Sequence, residues 1–135
     1  MKAAITNAPG HIEIVNDLEV GDPQAGEVAI RVAYCGLCLT DIHIVEGQID
    51  FPRPAVCGHE VSGVVEAIGE GVSGIRLGTK VVSSCRPPCR VCFFCLRNEP
   101  QLCSNSVGWK TGTLSSGETR LSWRNMTVYR GVGVA

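Results

Sequence analysis

The chain is predicted to be mainly β, a small and strongly bent sheet or partly closed β-barrel with short helices and a cysteine-rich lobe. Three observations predict it. The β-prone runs are short and recur along the chain, the 16 glycines among 135 residues interrupt them, and helix-forming stretches are almost absent. That length suits one domain with a real core and leaves no room for a nucleotide-binding domain beside it.

Lys2 to Thr6 and His11 to Val15 are β-prone and flank Asn7-Ala8-Pro9-Gly10, which has the residues of a tight turn, so a hairpin is expected. Asp22-Pro23 with Gly26 marks the next loop. From Glu27 to Tyr34, Val28, Ile30 and Val32 alternate with Glu27, Ala29 and Arg31, the period of a half-buried strand. Thr40 is placed to cap a helix over Asp41 to Glu46 that Gly47 ends. Phe51-Pro52-Arg53-Pro54 must be extended or turning. Glu60 to Ile68 reads as a Val-rich strand interrupted by Gly63, and Lys80 to Ser83 as another. Gly69 to Gly74 spells GxGxxG, but a dinucleotide fingerprint opens a helix and has an acidic residue about 20 positions on. Here Ile75 to Gly78 lead into another β-prone run, so a glycine-rich turn is expected.

Net charge is −1, with acidic and basic residues interspersed, which gives no electrostatic case for nucleic acid or an anionic membrane. No run approaches the roughly 20 apolar residues of a membrane helix, and Pro9 and Gly10 interrupt the N-terminus before a signal peptide can form. A cytoplasmic protein is expected. Its eight cysteines should then be reduced, metal-bound or catalytic, and Asn125-Met126-Thr127 is a chance match to a glycosylation acceptor.

Four of those cysteines lie in CRVCFFCLRNEPQLC, Cys89 to Cys103. Each CxxC turn can present two thiolates to one face of a metal, and the longer excursion to Cys103 returns a fourth to close a tetrahedron. Between them stand Arg90, Arg97, Asn98, Glu99 and Pro100, so burial alone would barely offset the entropy of ordering the lobe, residues 85–105. A closed zinc site at Cys89, Cys92, Cys95 and Cys103 is expected. Two disulfides or scattered buried thiols are the alternatives, and four thiolates also suit an iron–sulfur cluster.

Cys38, Thr40, Asp41, His43, His59 and Glu60 form a second group. One thiolate and one imidazole are two-thirds of a Cys2His set that leaves a fourth position open, although either residue alone is commonly structural. The wording around them is more specific. GHEVSGVVEAIGEGV, from Gly58 to Val72, matches the zinc-alcohol-dehydrogenase signature, GLCLTDIH resembles that family's Cys-x-Thr/Ser-Asp-x-His segment, and the four-cysteine lobe is similar in spacing and position. The chain therefore resembles the medium-chain zinc-dependent alcohol dehydrogenases from Met1 onward, fading after about Trp109.

The resemblance implies a GroES-like N-terminal domain with two zinc sites, structural and catalytic. It implies that Cys38 and His59 bind the catalytic zinc, a Lewis acid that lowers the pKa of an alcohol. Thr40 takes the alcohol proton and His43 hands it to solvent, Asp41 orients the imidazole of His59, and Glu60 stands behind the metal and tunes it. The implied substrate is a small-molecule alcohol or aldehyde, the hydride acceptor NAD or NADP, and the full-length parent a homo-oligomer.

The sequence also departs from the family. Leu39 replaces an Arg or His that contacts the cofactor pyrophosphate, Thr79 replaces a frequent Asp, and Cys57 precedes GHE where Leu is usual. Cys35 and Cys57 are expected to serve as small apolar residues. Cys85 falls near a position that lines the substrate pocket in relatives, where a small residue admits a bulky alcohol. The family's third zinc-binding Cys and its cofactor domain are expected beyond Ala135, Gly131 to Ala135 ends as though inside a strand, and the chain is expected to be a fragment inactive alone. Gly112 to Tyr129 loosely resembles an insert of the ethanol- and formaldehyde-oxidising branch and is expected to be poorly ordered. Two other classes stand against the enzyme: a non-catalytic zinc-stabilised binding or assembly module, and a stand-alone chaperonin-like barrel that explains the sheet but neither constellation.

Overall fold

A computed structural model describes residues 1–106 and 108–129, so the expectation for Gly131 to Ala135 lies outside the described residues. Strands β1 (Ala3–Thr6) and β2 (Glu13–Val15) form the expected antiparallel hairpin. They are followed by β3 (Glu19–Val20), β4 (Val28–Gly36), helix α1 (Leu39–Glu46), β5 (Ala55–Val56), β6 (Glu60–Ile68) and β7 (Lys80–Val82). Helix α2 (Phe93–Leu96), a 3₁₀ turn (Pro100–Leu102), helix α3 (Gly108–Thr111), β8 (Leu121–Trp123) and β9 (Met126–Val128) complete the order. Strands dominate, as expected.

The described strands form three three-stranded sheets, ordered β2-β1-β5, β3-β8-β9 and β4-β6-β7, and these do not close into a barrel. The bend comes from the long β4–β6 ladder. Its register shifts between Ala29 and Ile30 and again between Val32 and Tyr34, and each such bulge kinks and twists a strand. Gly63 sits opposite Val32, where a Cβ would lie 2.4 Å from the Arg31 carbonyl oxygen. The interruption of β6 by glycine thus permits a close backbone approach that any side chain would block.

The simple alternation expected for β4 holds over only part of the strand. Val28 and Ile30 are half-buried, but Arg31 to Cys35, Val32 and Tyr34 among them, are exposed on both faces. Ile30 and Val32, with Leu18, Val56, Cys57 and Leu121, line an apolar cavity of about 520 Å³. Gly69 to Gly74 forms the expected turn between β6 and β7, and no helix follows it.

The main core comprises Ile5, Val15, Leu18, Trp123 and Val128. Two of those five come from the segment expected to be poorly ordered. Leu121 pairs with Val128 and Trp123 with Met126, around a two-residue turn in which Arg124 and Asn125 take φ of 50° and 63°. Such a turn matches the twist of a hairpin, and β8 also pairs with β3. The Trp123 Nε1–H donates to Asp17 Oδ1 at 2.9 Å, so the indole is buried without orphaning its donor. Burial of Trp123 and Val128, at 2% and 0% exposure, orders the segment.

A second cluster, Ile44, Phe51 and Ala55 with Ile49 and Tyr129 against it, anchors α1. The Phe51 to Pro54 stretch is non-helical as expected, with a cis Arg53–Pro54 bond, and Gly47 ends α1 in the left-handed region. Among the described residues no helix is long and apolar enough to cross a membrane.

Candidate metal centres

The cysteine lobe is held by its polar backbone, since α2 has no buried residue and Val91, Phe93 and Leu96 are exposed. Cys92 N donates to Cys89 Sγ at 3.3 Å and Cys89 N to Cys103 Sγ at 3.3 Å. Arg90 and Asn98 adopt left-handed φ of 62° and 64°, which tightens the turns around the thiols. Cys92 precedes the first turn of α2, Cys95 lies within it, and the 3₁₀ turn delivers the buried Cys103. From outside, Arg86 Nη2 donates to the Cys103 carbonyl at 3.2 Å.

The four sulfurs all lie within 4.8 Å of one another. Cys89 and Cys95 are 4.0 Å apart, and Cys92 and Cys103 are 3.9 Å apart. A disulfide needs about 2.05 Å, whereas a tetrahedron with 2.3 Å metal–sulfur bonds has edges of about 3.8 Å. The spacing fits the ion and not the disulfides, and none of the four thiols is in a disulfide. Electrostatics agree with the geometry. Backbone N–H groups of Cys95 and Ser104 bring the Cys92 thiol down to about 5, while burial and the neighbouring sulfurs push Cys95 up to about 12. A cluster that favours one thiolate and resists the next is completed by a cation.

The second group is assembled where α1 meets the start of β6. The expected cap, Thr40, lies inside the helix, and Cys38 is the N-cap. Its sulfur accepts from Thr40 N at 3.3 Å, and Asp41 Oδ2 accepts from Cys38 N at 3.0 Å. This is a capping box with sulfur in place of a hydroxyl oxygen, for which the carboxylate three residues on was the available signal. Asp41 is only 1% exposed. Its Oδ1 also accepts from Gly58 N at 2.9 Å, and its two oxygens lie 3.2 and 3.4 Å from His59 Nδ1.

An ionised carboxylate can only accept, so it holds the proton on Nδ1 and makes Nε2 the acceptor nitrogen of the ring. Gly58 takes φ of 94°, and a Cβ there would lie 2.5 Å from Cys35 Sγ. Only glycine therefore brings its own N–H to Asp41 and His59 to the site. Ligand atoms of Cys38, His59 and Glu60 lie within 4.8 Å of one another.

Thr40 and His43 are half-buried and three residues apart on α1, the spacing that shares a helix face. No hydrogen bond joins their side chains, and neither belongs to the ligand group. Leu39 and Cys85 are exposed. Cys57 is buried as expected of a small apolar residue, whereas Cys35 is exposed. The Thr79 hydroxyl accepts from Arg76 N at 3.3 Å and closes the turn ahead of β7.

A small β scaffold with four thiols gathered in a lobe and a thiol, imidazole and carboxylate gathered at a helix start is a metal-binding domain by its donor sets. The chain belongs to the alcohol dehydrogenase GroES-like domain family, whose pattern matches residues 24–127 and so continues beyond Trp109. Its fold is similar to that of an alcohol dehydrogenase zinc-binding domain protein from Burkholderia ambifaria, with TM-score 0.85 and 30% identity over 95% of this chain and 35% of that one. Benzyl alcohol dehydrogenase from Acinetobacter calcoaceticus gives TM-score 0.81 and 34% identity over 94% of this chain and 34% of that one. A thermostable alcohol dehydrogenase from Pyrobaculum aerophilum, solved with cobalt and zinc bound, gives TM-score 0.67 and 35% identity over 78% and 33%. The chain spans about a third of the length of these proteins.

Proposed function

We propose that this chain is the zinc-binding catalytic domain of an alcohol dehydrogenase. Its complete protein oxidises a small-molecule alcohol to an aldehyde or ketone with NAD or NADP as hydride acceptor. The observation that carries the reading is the buried Asp41 carboxylate, which ties Cys38 N, Gly58 N and His59 Nδ1 together where ligand atoms of Cys38, His59 and Glu60 converge. A hydrogen-bonded carboxylate behind an imidazole is the usual support of a metal-bound histidine.

In this reading Cys38 and His59 hold the catalytic zinc with Glu60 beside them, while Cys89, Cys92, Cys95 and Cys103 hold a structural one. When bound, the catalytic zinc supplies Lewis acidity that lowers the pKa of the alcohol. Thr40 accepts the alcohol proton and His43 passes it to solvent. Asp41 keeps the His59 tautomer fixed throughout. Residues 1–135 alone are inactive, because hydride acceptance is assigned to parts of the longer protein, which is cytoplasmic and assembles as a homo-oligomer.

The test is metal counting followed by reconstitution. About two zinc ions per purified chain support the catalytic reading, and alcohol oxidation should appear when the native downstream sequence is joined to Ala135. NAD-dependent turnover by the 135 residues alone would contradict it. A non-catalytic zinc-stabilised module is the second reading, favoured by the four-sulfur lobe, a closed donor set that needs no chemistry to explain it. It requires about one zinc, in the lobe, and no activity after joining.

A further inference from the structure

β7 ends at Val82, where the chain leaves the sheet for the cysteine lobe. The ladder that pairs Gly63 with Val81 and Ser62 with Val82 next brings Val61 opposite Ser83. Half of that pair is ordinary, with Ser83 N donating to the Val61 carbonyl at 2.8 Å. In a regular hydrogen-bonded pair Val61 N would answer by donating to the Ser83 carbonyl. It donates instead to Ser83 Oγ, at 3.0 Å. The hydroxyl stands where the ladder acceptor would be, and its own proton goes to the His59 carbonyl at 3.3 Å. Ser83 therefore holds three backbone groups of the His59 to Val61 segment, while Asp41 holds the His59 ring from another element.

We infer that Ser83 is a positioning residue for His59, its side chain latching the start of β6 so that the imidazole keeps a fixed place against Cys38. The inference rests on the reading of Cys38 and His59 as metal ligands. Ligand distances in such a site are set to within about 0.2 Å, and His59 lies just before β6, where a strand end frays unless tied. Nothing in the residue type draws attention to Ser83. It is neither a ligand nor a proton carrier, and its role follows only from where the departing chain leaves its hydroxyl.

The test compares Ser83→Ala with Ser83→Thr, which keeps the hydroxyl. The metal-free chain is titrated with Co(II), whose thiolate absorption separates the four-sulfur lobe from a one-sulfur site. Ser83→Ala should weaken the Cys38/His59 site about 10-fold and alter its visible spectrum with the lobe unchanged, and Ser83→Thr should restore both. Affinity and spectrum unchanged in Ser83→Ala would overturn the inference. If the parent chain takes cobalt in the lobe only, the metal reading of Cys38 and His59 fails instead. The positioning role is then decided by the His59 Nδ1–H resonance, which should shift in Ser83→Ala and recover in Ser83→Thr; no shift refutes it. Should Ser83→Ala fail to fold, Ser83→Thr against Ser83→Val differs by a hydroxyl for a methyl and reads the same two signals.

Discussion

Asp41→Asn isolates the carboxylate on which the second centre is built. The substitution keeps size and shape but offers one acceptor oxygen where two served. Asp41 Oδ1 accepts from Gly58 N at 2.9 Å and Oδ2 from Cys38 N at 3.0 Å, so whichever way the amide turns, its NH2 meets a backbone donor. One donor buried with a 1%-exposed side chain is then orphaned, at about 1–3 kcal/mol, and the surviving bond loses its charge assistance, about 1 kcal/mol. Loss of a negative charge from the first turn of α1 adds about 0.3–1 kcal/mol. The sum, about 3 kcal/mol, is a large part of a typical domain's 5–15 kcal/mol. Urea unfolding of the zinc-loaded chain measures it directly. The same variant should bind metal at Cys38 and His59 about 10- to 100-fold more weakly in chelator competition, with the lobe unaffected. Stability within about 0.5 kcal/mol of the parent would show that Asp41 is not the buried tie described here, within the scatter expected of a neutral surface change.

Cys103→Ser should remove the lobe's metal and open it to proteolysis at Arg90 and Arg97, because nothing in α2 is buried to replace it; protection equal to the parent's would argue against metal-held order. Trp123→Ala should cost about 3–5 kcal/mol in denaturant unfolding, since the indole is 2% exposed and Val15, Leu18 and Val128 share its cluster. A loss under about 1 kcal/mol would mean that the β8–β9 hairpin is dispensable. Burial raises the Glu27 carboxyl, but hydrogen bonds from Arg120 Nε and Nη2, both 2.9 Å, outweigh it and hold the group below its usual range. With the folded value depressed, this stabilisation is complete above the unfolded value near 4.3 and is lost as pH falls through the lower folded value. Glu27→Gln should therefore be less stable at neutral pH and show a flatter acid limb, checked by thermal melts from pH 7 to 3.

The motifs of this protein could be read directly because they are local. The spacing of Cys89, Cys92, Cys95 and Cys103 is set by turns only a few residues long, and β6 runs from Glu60 to Ile68, the bounds its valines suggest. The β1–β2 hairpin is announced by its own turn residues. Gly112 to Tyr129 is different, for its Arg124-Asn125 turn lacks the usual glycine and its order depends on burying Trp123 against Ile5, Val15 and Leu18, more than 100 positions earlier.

The chain's own letters thus determined the donor sets and the β character, since residue type and short spacing decide which atoms are available. The tertiary structure alone decided that Cys38 caps α1, that Asp41 reaches Gly58 across 17 residues, and that Ser83 grips the backbone at His59 from 24 residues away. Such contacts depend on where bulges bend a sheet and where a strand lets its chain go. Those outcomes are settled by the packing of the whole domain rather than by any window of sequence.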